Sequence, residues 1–464
     1  GSIAMNKIKN LFTTVSSRQG SYSLAITAVV IGIVIFINLI AGKLPNSIKQ
    51  IDISTNNIYE ITDTSRDLLK DLDKDVTFTI LAEKSSTDER IRTFIDKYTD
   101  LSSHISVEWI DPILHPSALT EYDTESDTIV ISCDDTEKTT TVSFQDIITY
   151  DEMSYYTTGS LTESEFDGEG QLTSAVNYVT TDVTETIYTV TGHGESSLPA
   201  SVTDLLKKSS LTTDELNLMM VSSIPDDCDL LLFYAPTADI SEDELSLLTT
   251  YMENGGNVFF IQGEDMTGMP NFSSLLETYG LTPAEGYIAD MQRSYQGNYY
   301  YIFPQISVSG DMAENIETQM VLLVNAHGFT EGTPNRDTIT LTPFMTTSSN
   351  SYAVADDGDP AEGTYVLGAV ASENDSRFTV ISSASMIDES ITGQFTNLEN
   401  LSLFMNAVTS NFDDVENLSI EAKSLQLENN SMQYTGLIGI IAIVGIPVLF
   451  LLYGLYCWLK RRKA

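Results

Sequence analysis

The chain has 464 residues, with 66 acidic and 23 basic side chains and a formal net charge of −43. A charge of this size and sign repels nucleic acid and anionic lipid headgroups, so the composition excludes a nucleic-acid-binding protein. Three cysteines are too few for a disulfide framework, and the length predicts two or three domains.

The N-terminal part contains the first hydrophobic run. Residues 1–4 resemble an expression scar, and we assign residues 1–20 to a cytoplasmic N-terminus because three basic side chains precede the run. Residues 21–41 carry no charge and are long enough for a transmembrane helix. A cleaved signal peptide is the alternative, since the end of the run loosely resembles a cleavage site.

A connector over residues 42–60 leads to a predicted small α/β domain over residues 61–150. Its elements are a helix, a strand, a second helix, a second strand and a hairpin, at 62–72, 76–82, 88–101, 105–110 and 128–142. This β-α-β-then-hairpin order is typical of a thioredoxin-like fold. The segment has no Cys-x-x-Cys motif, so the sequence predicts that the redox chemistry of that fold is absent.

Residues 151–184 are predicted as a linker and helix, with a polar loop at 151–167 and the helix at 170–179. Strands then alternate with helices through residues 185–412, a pattern that predicts a parallel sheet with helices on both faces. Residues 291–375 are expected to form a β-rich insertion in this domain. The domain resembles the flavodoxin-like fold of class I glutamine amidotransferases.

The C-terminal part contains the second hydrophobic run. After a juxtamembrane connector over 413–433, residues 434–459 carry no charge, have transmembrane length and bear aromatic residues near both ends. The basic tail at 460–464 indicates a cytoplasmic C-terminus. A buried core helix is the alternative. The predicted fold class is therefore an α/β ectodomain flanked by two transmembrane helices, with both termini in the cytoplasm and the large domain outside a bacterial plasma membrane.

Small residues recur on one side of each hydrophobic run. Such residues allow close helix approach, so we expect these faces to pack together or against a permease. The alternative is that they face lipid. The residues concerned are Ala25, Ala28 and Gly32 in the first run, and Gly436, Gly439, Ala442 and Gly445 in the second.

The turn Gly192-His193-Gly194-Glu195 is the candidate ligand-binding motif. It follows a predicted strand, where a nucleotide-binding turn would lie. A G-x-G-x-x-G fingerprint needs a third glycine at position 197, and Ser197 stands there instead. A structural turn, in which the glycines permit an unusual backbone, is the alternative.

No other motif points to catalysis, a metal or a cofactor. The chain has no G-x-x-x-x-G-K-[ST] motif, so it has no P-loop for ATP hydrolysis. The predicted strand at 258–261 ends in Gln262-Gly263, where an amidotransferase needs a cysteine nucleophile. The histidines show no metal-ligand spacing, and the acidic residues at 356–359 favour a solvated turn over a Ca²⁺ site.

Motifs spread over nearly the whole chain resemble those of a known family. In order, they are Ile58 to Thr62, Val107 to Pro112, Gly168 to Ala175, Thr191 to Glu195, Tyr251 to Val258, Leu275 to Leu281, and the C-terminal apolar run with its basic tail. Their order is similar to that of the GldG-like family, the gliding-motility-type extracytoplasmic auxiliary components of bacterial ABC transporters.

This resemblance implies a non-catalytic subunit that works beside a separate ATPase and a membrane permease. It does not imply gliding, and it leaves open whether the substrate is a small molecule, a lipid or a peptide. Two alternatives remain: a membrane-anchored hydrolase related to amidotransferases, and a receptor that captures substrate for a transporter.

Overall fold

The protein is mixed α/β, with several β-sheets. The structure is a computed structural model that describes residues 57–425 except residues 183, 264–265, 357, 396, 414 and 416. The helices are α1 (Asp63–Asp71), α2 (Glu89–Thr99), α3 (Ser117–Glu121), α4 (Phe144–Ile147), α5 (Glu152–Thr158), α6 (Gly168–Thr180), α7 (Ala200–Lys208), α8 (Glu242–Glu253), α9 (Pro270–Thr278), α10 (Glu389–Thr392) and α11 (Asn400–Thr409).

The strands vary from short bridging pairs to long core strands. They are β1 (Val76–Leu81), β2 (Ile105–Ile110), β3 (Thr128–Cys133), β4 (Lys138–Ser143), β5 (Ile148–Asp151), β6 (Thr162–Phe166), β7 (Glu185–Thr191), β8 (Leu211–Asn217), β9 (Leu230–Tyr234), β10 (Asn257–Ile261), β11 (Leu281–Pro283), β12 (Tyr287–Asp290), β13 (Ser294–Tyr295), β14 (Asn298–Ile302), β15 (Gln305–Ile306), β16 (Leu323–Val324), β17 (Phe329–Glu331), β18 (Thr340–Thr346), β19 (Ser351–Val354), β20 (Ala361–Gly363), β21 (Val366–Glu373), β22 (Ser376–Ile381) and β23 (Lys423–Ser424).

The small N-terminal domain is built around β1. This strand pairs in parallel with β2 and antiparallel with β3, which pairs with β4, so the strand order is β2-β1-β3-β4. Helix α2 connects β1 to β2, and it begins where the Asp88 carboxylate accepts a hydrogen bond from the Arg90 backbone N–H at 2.8 Å. Its apolar face places Phe94 and Tyr98 beside Phe78 of β1 in the domain core.

The segment after β5 also belongs to this domain. The predicted loop at 151–167 is wrong, because these residues form the end of β5, α5 and β6. The sequence of β6 is polar, but the strand pairs with β5 and also with β23, which lies far away in the sequence at 423–424. Helix α6 packs on β3 and β4 and buries Leu172, Val176 and Val179 in the same core.

The large domain is organised by a sheet with a parallel part. Strands β8, β7, β9, β10 and β22 lie side by side in that order and are all parallel. Beyond β22 the sheet continues with antiparallel β21, which also pairs with β17 and β18. Numbered by their order in the chain, the five parallel strands have the order 2-1-3-4-5 of a doubly wound fold. The central strand β9 is buried along its whole length, as a strand covered on both faces requires.

Helices cover both faces of this sheet. On one face α7 and α11 contribute Leu206 and Phe404 to a core that also includes Phe259. On the other face α8 and α9 pack Leu248 and Phe272 against the alternate strand residues. The segment expected to be β-rich, 291–375, does form strands. Some of them, β13, β14, β16, β19 and β20, belong to two small sheets, and β15, β17, β18 and β21 join the large sheet.

The predicted fold class needs a correction. In the part of the chain that the structure describes, no helix is long and apolar enough to cross a membrane. The longest helix there, α6, has 13 residues, or about 20 Å at 1.5 Å per residue, which is shorter than the ~30 Å hydrocarbon core. The mixed α/β character holds, but two flanking transmembrane helices are not part of the observed fold.

Several predictions fall on residues that the structure does not describe. These are the cytoplasmic segments 1–20 and 460–464, the hydrophobic runs 21–41 and 434–459, and residues 42–56, 414, 416 and 426–433 of the two connectors. The small residues Ala25, Ala28, Gly32, Gly436, Gly439, Ala442 and Gly445 also lie outside the described residues.

Candidate functional site

The predicted ligand-binding turn lies at the topological switch point of the large sheet. It follows β7, and the neighbouring strand β9 is followed by a segment that leads into α8. Because α7 and α8 cover opposite faces of the sheet, a crevice is expected between the carboxyl ends of β7 and β9. In doubly wound folds this is the usual place for a ligand.

The two glycines of the turn have backbone conformations that other residues rarely adopt. The φ angle is +119° at Gly192 and +74° at Gly194. A Cβ atom at Gly194 would also collide with the Thr237 hydroxyl, so this side of the turn packs directly on the segment after β9. The glycines therefore allow the turn to fold tightly into the crevice.

His193 is buried in the turn between two carboxylates, with only 4% of its side chain exposed. Its Nδ1 lies 3.0 Å from a Glu195 oxygen, and its Nε2 lies 3.0 Å from a Glu244 oxygen. Both ring nitrogens can donate only if the ring is an imidazolium. The bond to Glu195 raises the pKa of His193 in spite of its burial, and Glu244 adds to the effect.

Glu244 belongs to the N-terminal turn of α8. Its second oxygen accepts hydrogen bonds from the Ser241 backbone N–H and hydroxyl, each at 2.8 Å, and the Glu244 N–H donates back to that hydroxyl. This is a capping box. Burial alone would raise the pKa of Glu244, but the bonds from Ser241 and the charge of His193 hold it below its usual range.

Backbone groups close the rest of the crevice. The carbonyl of His193 accepts hydrogen bonds from the N–H groups of Thr237 and Ala238, both at 2.9 Å, and the Ser196 N–H donates to the Tyr234 carbonyl. The N–H groups of Thr237 and Ala238 follow β9 and would face an anion in an open crevice. The hydrogen-bonding groups that a ligand would use in this crevice are therefore already bonded to other groups of the protein.

The positions where a nucleophile was considered are also closed. An added Cβ at Gly263, after β10, would lie 2.5 Å from the Ala235 side chain. Cys228 is a buried free thiol that precedes β9, and burial raises its pKa to about 11. Such a thiol is mostly protonated at neutral pH and is a poor nucleophile. Cys133 is likewise a buried free thiol.

The sequence did not reveal a second polar cluster, which lies where the two domains meet. Lys208, at the end of α7, is buried, and its Nζ lies 2.9 Å from an oxygen of Asp167, 2.9 Å from one of Asp204 and 3.0 Å from the Ile420 carbonyl. Burial raises the pKa of Asp167 to about 6, although Lys208 opposes the shift. A cavity of about 690 Å³ adjoins the cluster.

Glu169, in the first turn of α6, forms a third polar centre. One of its oxygens accepts hydrogen bonds from the Thr62 N–H at 2.7 Å, the Thr62 hydroxyl at 2.6 Å and the Ser65 hydroxyl at 2.8 Å. The other lies 3.3 Å from the Lys423 amine. Residues from the beginning and the end of the described chain therefore meet at one buried carboxylate.

One signal in the sequence could have located Glu244, whereas Lys208 had none. Ser241-x-x-Glu244 is a capping-box pattern before an apolar-periodic segment, and it places both residues at a helix start. Lys208 looks like an ordinary cation at a helix C-terminus, and its partners come from distant segments. In the described ranges no three metal-ligating side chains lie together in a way that could hold a metal.

Family models match two parts of the chain. Residues 184–411 match the family model described as an ABC-type uncharacterized transport system, and residues 55–149 match a domain of unknown function, DUF7088. The resemblance to an auxiliary component of ABC transporters is therefore confirmed over residues 184–411. No curated protein matches the chain significantly.

Solved structures show only a low likeness to this chain. The mmIFT52 N-terminal domain is 17% identical, with 49% of this chain and 96% of that chain covered and a TM-score of 0.36. PurLQS from Thermotoga maritima is 10% identical, with 49% and 99% covered and a TM-score of 0.28. TM-scores this low support no argument about the present chain.

Proposed function

We propose that this chain is a non-catalytic auxiliary subunit of an ABC transport complex, with a binding or coupling role beside a separate ATPase and permease. The closed crevice at the switch point carries the proposal. A general base or a phosphate site there would need a free ring nitrogen or free backbone N–H groups. His193 instead directs both ring nitrogens to carboxylates, and its carbonyl occupies two N–H groups after β9.

The proposal extends to the place where the subunit works. We propose that the α/β domains act on the extracytoplasmic side of the bacterial plasma membrane, in contact with the permease. All of the chain's acidic residues lie between positions 42 and 433. A surface so acidic is repelled by anionic headgroups, which favours protein contacts over lipid contacts.

Co-purification tests the partnership. The full chain, tagged and extracted from its native membranes, should retain a permease and an ATPase encoded beside it. The ATPase activity of that complex should change when this chain is omitted, because a coupling subunit acts only through proteins that have an energy source. A complex that forms and works identically without the chain would contradict the proposal.

Direct assays test the non-catalytic role. The purified chain should neither hydrolyse ATP nor release ammonia from glutamine. Turnover of either substrate that disappears in a His193→Gln variant, while a His115→Gln variant keeps it, would instead favour an enzyme. His115 is exposed and lies in the small domain, so it controls for the loss of a histidine as such.

Chemical labelling tests the location. A cysteine introduced at the exposed position Asp134 should react with a membrane-impermeant maleimide in intact cells. The two native ectodomain thiols are buried, so the unmodified chain supplies the background. Labelling that appears only after the cells are lysed would place the domain inside.

A further inference from the structure

A groove runs along α8 on the large domain, next to the switch point but outside the closed crevice. One wall is α8, and the other is the segment 218–228 between β8 and β9. The space between them is about 950 Å³. This volume is within the range of ligand sites and is open along one side, which suits an extended or helical segment better than a small molecule.

The groove has an adaptable apolar wall. Met219 lines it with 59% of its surface exposed, and the neighbouring Met220 is 80% exposed. Leu247 and Tyr251 of α8 add partly buried apolar surface across from them. Exposed methionines are flexible and polarisable, and they are common at surfaces that bind apolar side chains of other proteins.

The charge of the groove has one sign. Asp226 lies on the wall of the β8–β9 segment, and Asp243 lies on the first turn of α8. Both carboxylates are exposed. Among the described residues that line the groove, none is a lysine, arginine or histidine. A basic side chain bound beside the methionines would therefore find acceptors at either wall and no competing cation.

Bonds at both ends hold the walls in place. At the inner end the Glu244 carboxylate is fixed by His193 and Ser241, which anchors the start of α8. At the far end the Tyr251 hydroxyl donates to the Cys228 carbonyl at 3.0 Å, which ties α8 to the opposite wall. The groove is thus formed before any partner arrives, which reduces the entropy lost on binding.

We propose that this groove docks a segment of a partner protein that carries both aliphatic and basic side chains. The inference rests on the proposed function, in which the partner is another subunit of the transport complex. Aliphatic side chains of the segment cover Met219, and its lysines or arginines pair with Asp226 and Asp243. A second copy of this chain is a poor occupant, because two chains of charge −43 repel each other.

The test measures binding of synthetic peptides to the full-length chain. The probe is a dye-labelled peptide of alternating leucine and lysine pairs, followed by fluorescence anisotropy. Two matched peptides, one with glutamate for lysine and one with glutamine for leucine, should bind much more weakly. In methionine-methyl NMR spectra, the signals of Met219 and Met220 should shift with the first peptide.

Variants locate the binding. Met219→Gln and Asp243→Asn should each weaken binding of the leucine-lysine peptide, by about tenfold for the methionine and about threefold for the exposed carboxylate. Met320→Gln and Glu242→Gln are the controls and should bind like the parent. Met320 is exposed elsewhere on the domain, and Glu242 is exposed in the same turn of α8 but does not line the groove.

Three results would overturn the inference. Equal binding by all four variants would mean that the acidic chain attracts basic peptides diffusely. No binding to the parent would mean that the groove does not accept such a segment. Shifts of the Met219 signal that depend on the concentration of the chain alone would make a second copy the occupant. In each case, co-purification with the permease would still test the proposed function independently.

Discussion

At the scale of single residues, the turn after β7 depends on one charged ring between two carboxylates. His193 is the cation that Glu195 and Glu244 need, because both glutamates are buried with it. Removing one partner of a buried charged group leaves the others without compensation, which costs more than the bond itself contributes. The ring therefore holds the turn and the start of α8 together as one unit.

His193→Gln tests this dependence. We expect the free energy of unfolding to fall by about 3–5 kcal/mol near pH 6, because glutamine cannot supply a positive charge to the carboxylates. Since folding raises the pKa of His193, its contribution is complete below the unfolded value and decreases as the pH rises through the folded value. Chemical denaturation of parent, His193→Gln and His115→Gln measures this, and a similar loss at exposed His115 would refute the explanation.

Asp167 should make stability depend on pH in the opposite way from most carboxylates. Its pKa is raised from 3.8 to about 6 by burial. Between about pH 4 and pH 6 the folded state binds more protons than the unfolded state, so the free energy of unfolding falls as the pH rises. This contribution is about 2–3 kcal/mol.

Asp167→Asn should remove that part of the slope. Glu165 and Glu421 line the same cavity, where partial desolvation raises the pKa of each, so some slope should remain. Lys208 would keep Asp204 and the Ile420 carbonyl as partners. Denaturation curves recorded across this pH range decide the matter, and parallel slopes in parent and variant would show that Asp167 does not titrate there.

At the scale of elements, the first turn of α6 joins the two domains. Asp167 precedes this helix and binds Lys208 of α7, and Glu169 within it binds Thr62 and Lys423. Gly170 is packed between these groups, because a Cβ there would lie 2.5 Å from an Asp167 oxygen and 2.8 Å from the Lys208 amine. The helix start therefore has no room for a larger residue.

Gly170→Ala should destabilise the protein although alanine favours helices by about 1 kcal/mol. Overpacking against the buried pair should lower the free energy of unfolding by a net 1–3 kcal/mol, roughly the usual cost of such changes. The control is Gly268→Ala, where an added Cβ meets nothing within 4 Å. Thermal or chemical unfolding compares the two, and a stabilised Gly170→Ala variant would show that the helix start can expand.

Sequence patterns identified the elements whose own residues carry the signal. The continuous apolar run at 230–234 predicts a strand and the apolar periodicity at 242–253 predicts a helix, and β9 and α8 have these bounds. Strand β8 was missed, because its sequence LTTDELN is polar and it lies exposed at the edge of the sheet. Strand β8 is held in place by its pairing with β7, and such pairing leaves little hydrophobic periodicity in the sequence of an edge strand.

The candidate site could be located from the sequence but not its chemistry. The turn at 192–195 was visible because glycines follow a strand. The hydrogen bonds that occupy the turn depend on Glu244, which lies in α8 after β9, and on backbone groups of the segment between β9 and α8. The pairing of Lys208 with Asp167 depends on how the domains meet. Such contacts are set by tertiary packing, to which a single sequence gives no direct access.

At the scale of the whole molecule, charge is the dominant feature. A net charge of −43 on 464 residues produces repulsion that opposes the compact state. Basic side chains are few, and among the described residues several of them, including Arg90, Lys208 and Arg336, are engaged with carboxylates. Most of the acidic surface therefore relies on solvent and ions for compensation.

Added salt should stabilise the protein. Raising the NaCl concentration from about 0.05 M to about 0.5 M shortens the screening length and weakens repulsion between exposed carboxylates. We expect a gain on the order of 1 kcal/mol, or about 1 °C in Tm for a chain of this length. Calorimetry measures the shift. An unchanged or lower Tm would mean that specific ion pairs, which salt weakens, outweigh the general repulsion.

The bonds to Glu169 have a mechanical consequence. Thr62 and Lys423 reach the same carboxylate, and Lys423 also donates to the Glu60 carbonyl, so the chain enters and leaves the described fold at one place. A pull on either flanking segment is resisted there, at Glu169 and the short strand β23, before it reaches the other strands of the sheets. A force applied through the two flanking segments would consequently reorient the two domains together and would not stretch them.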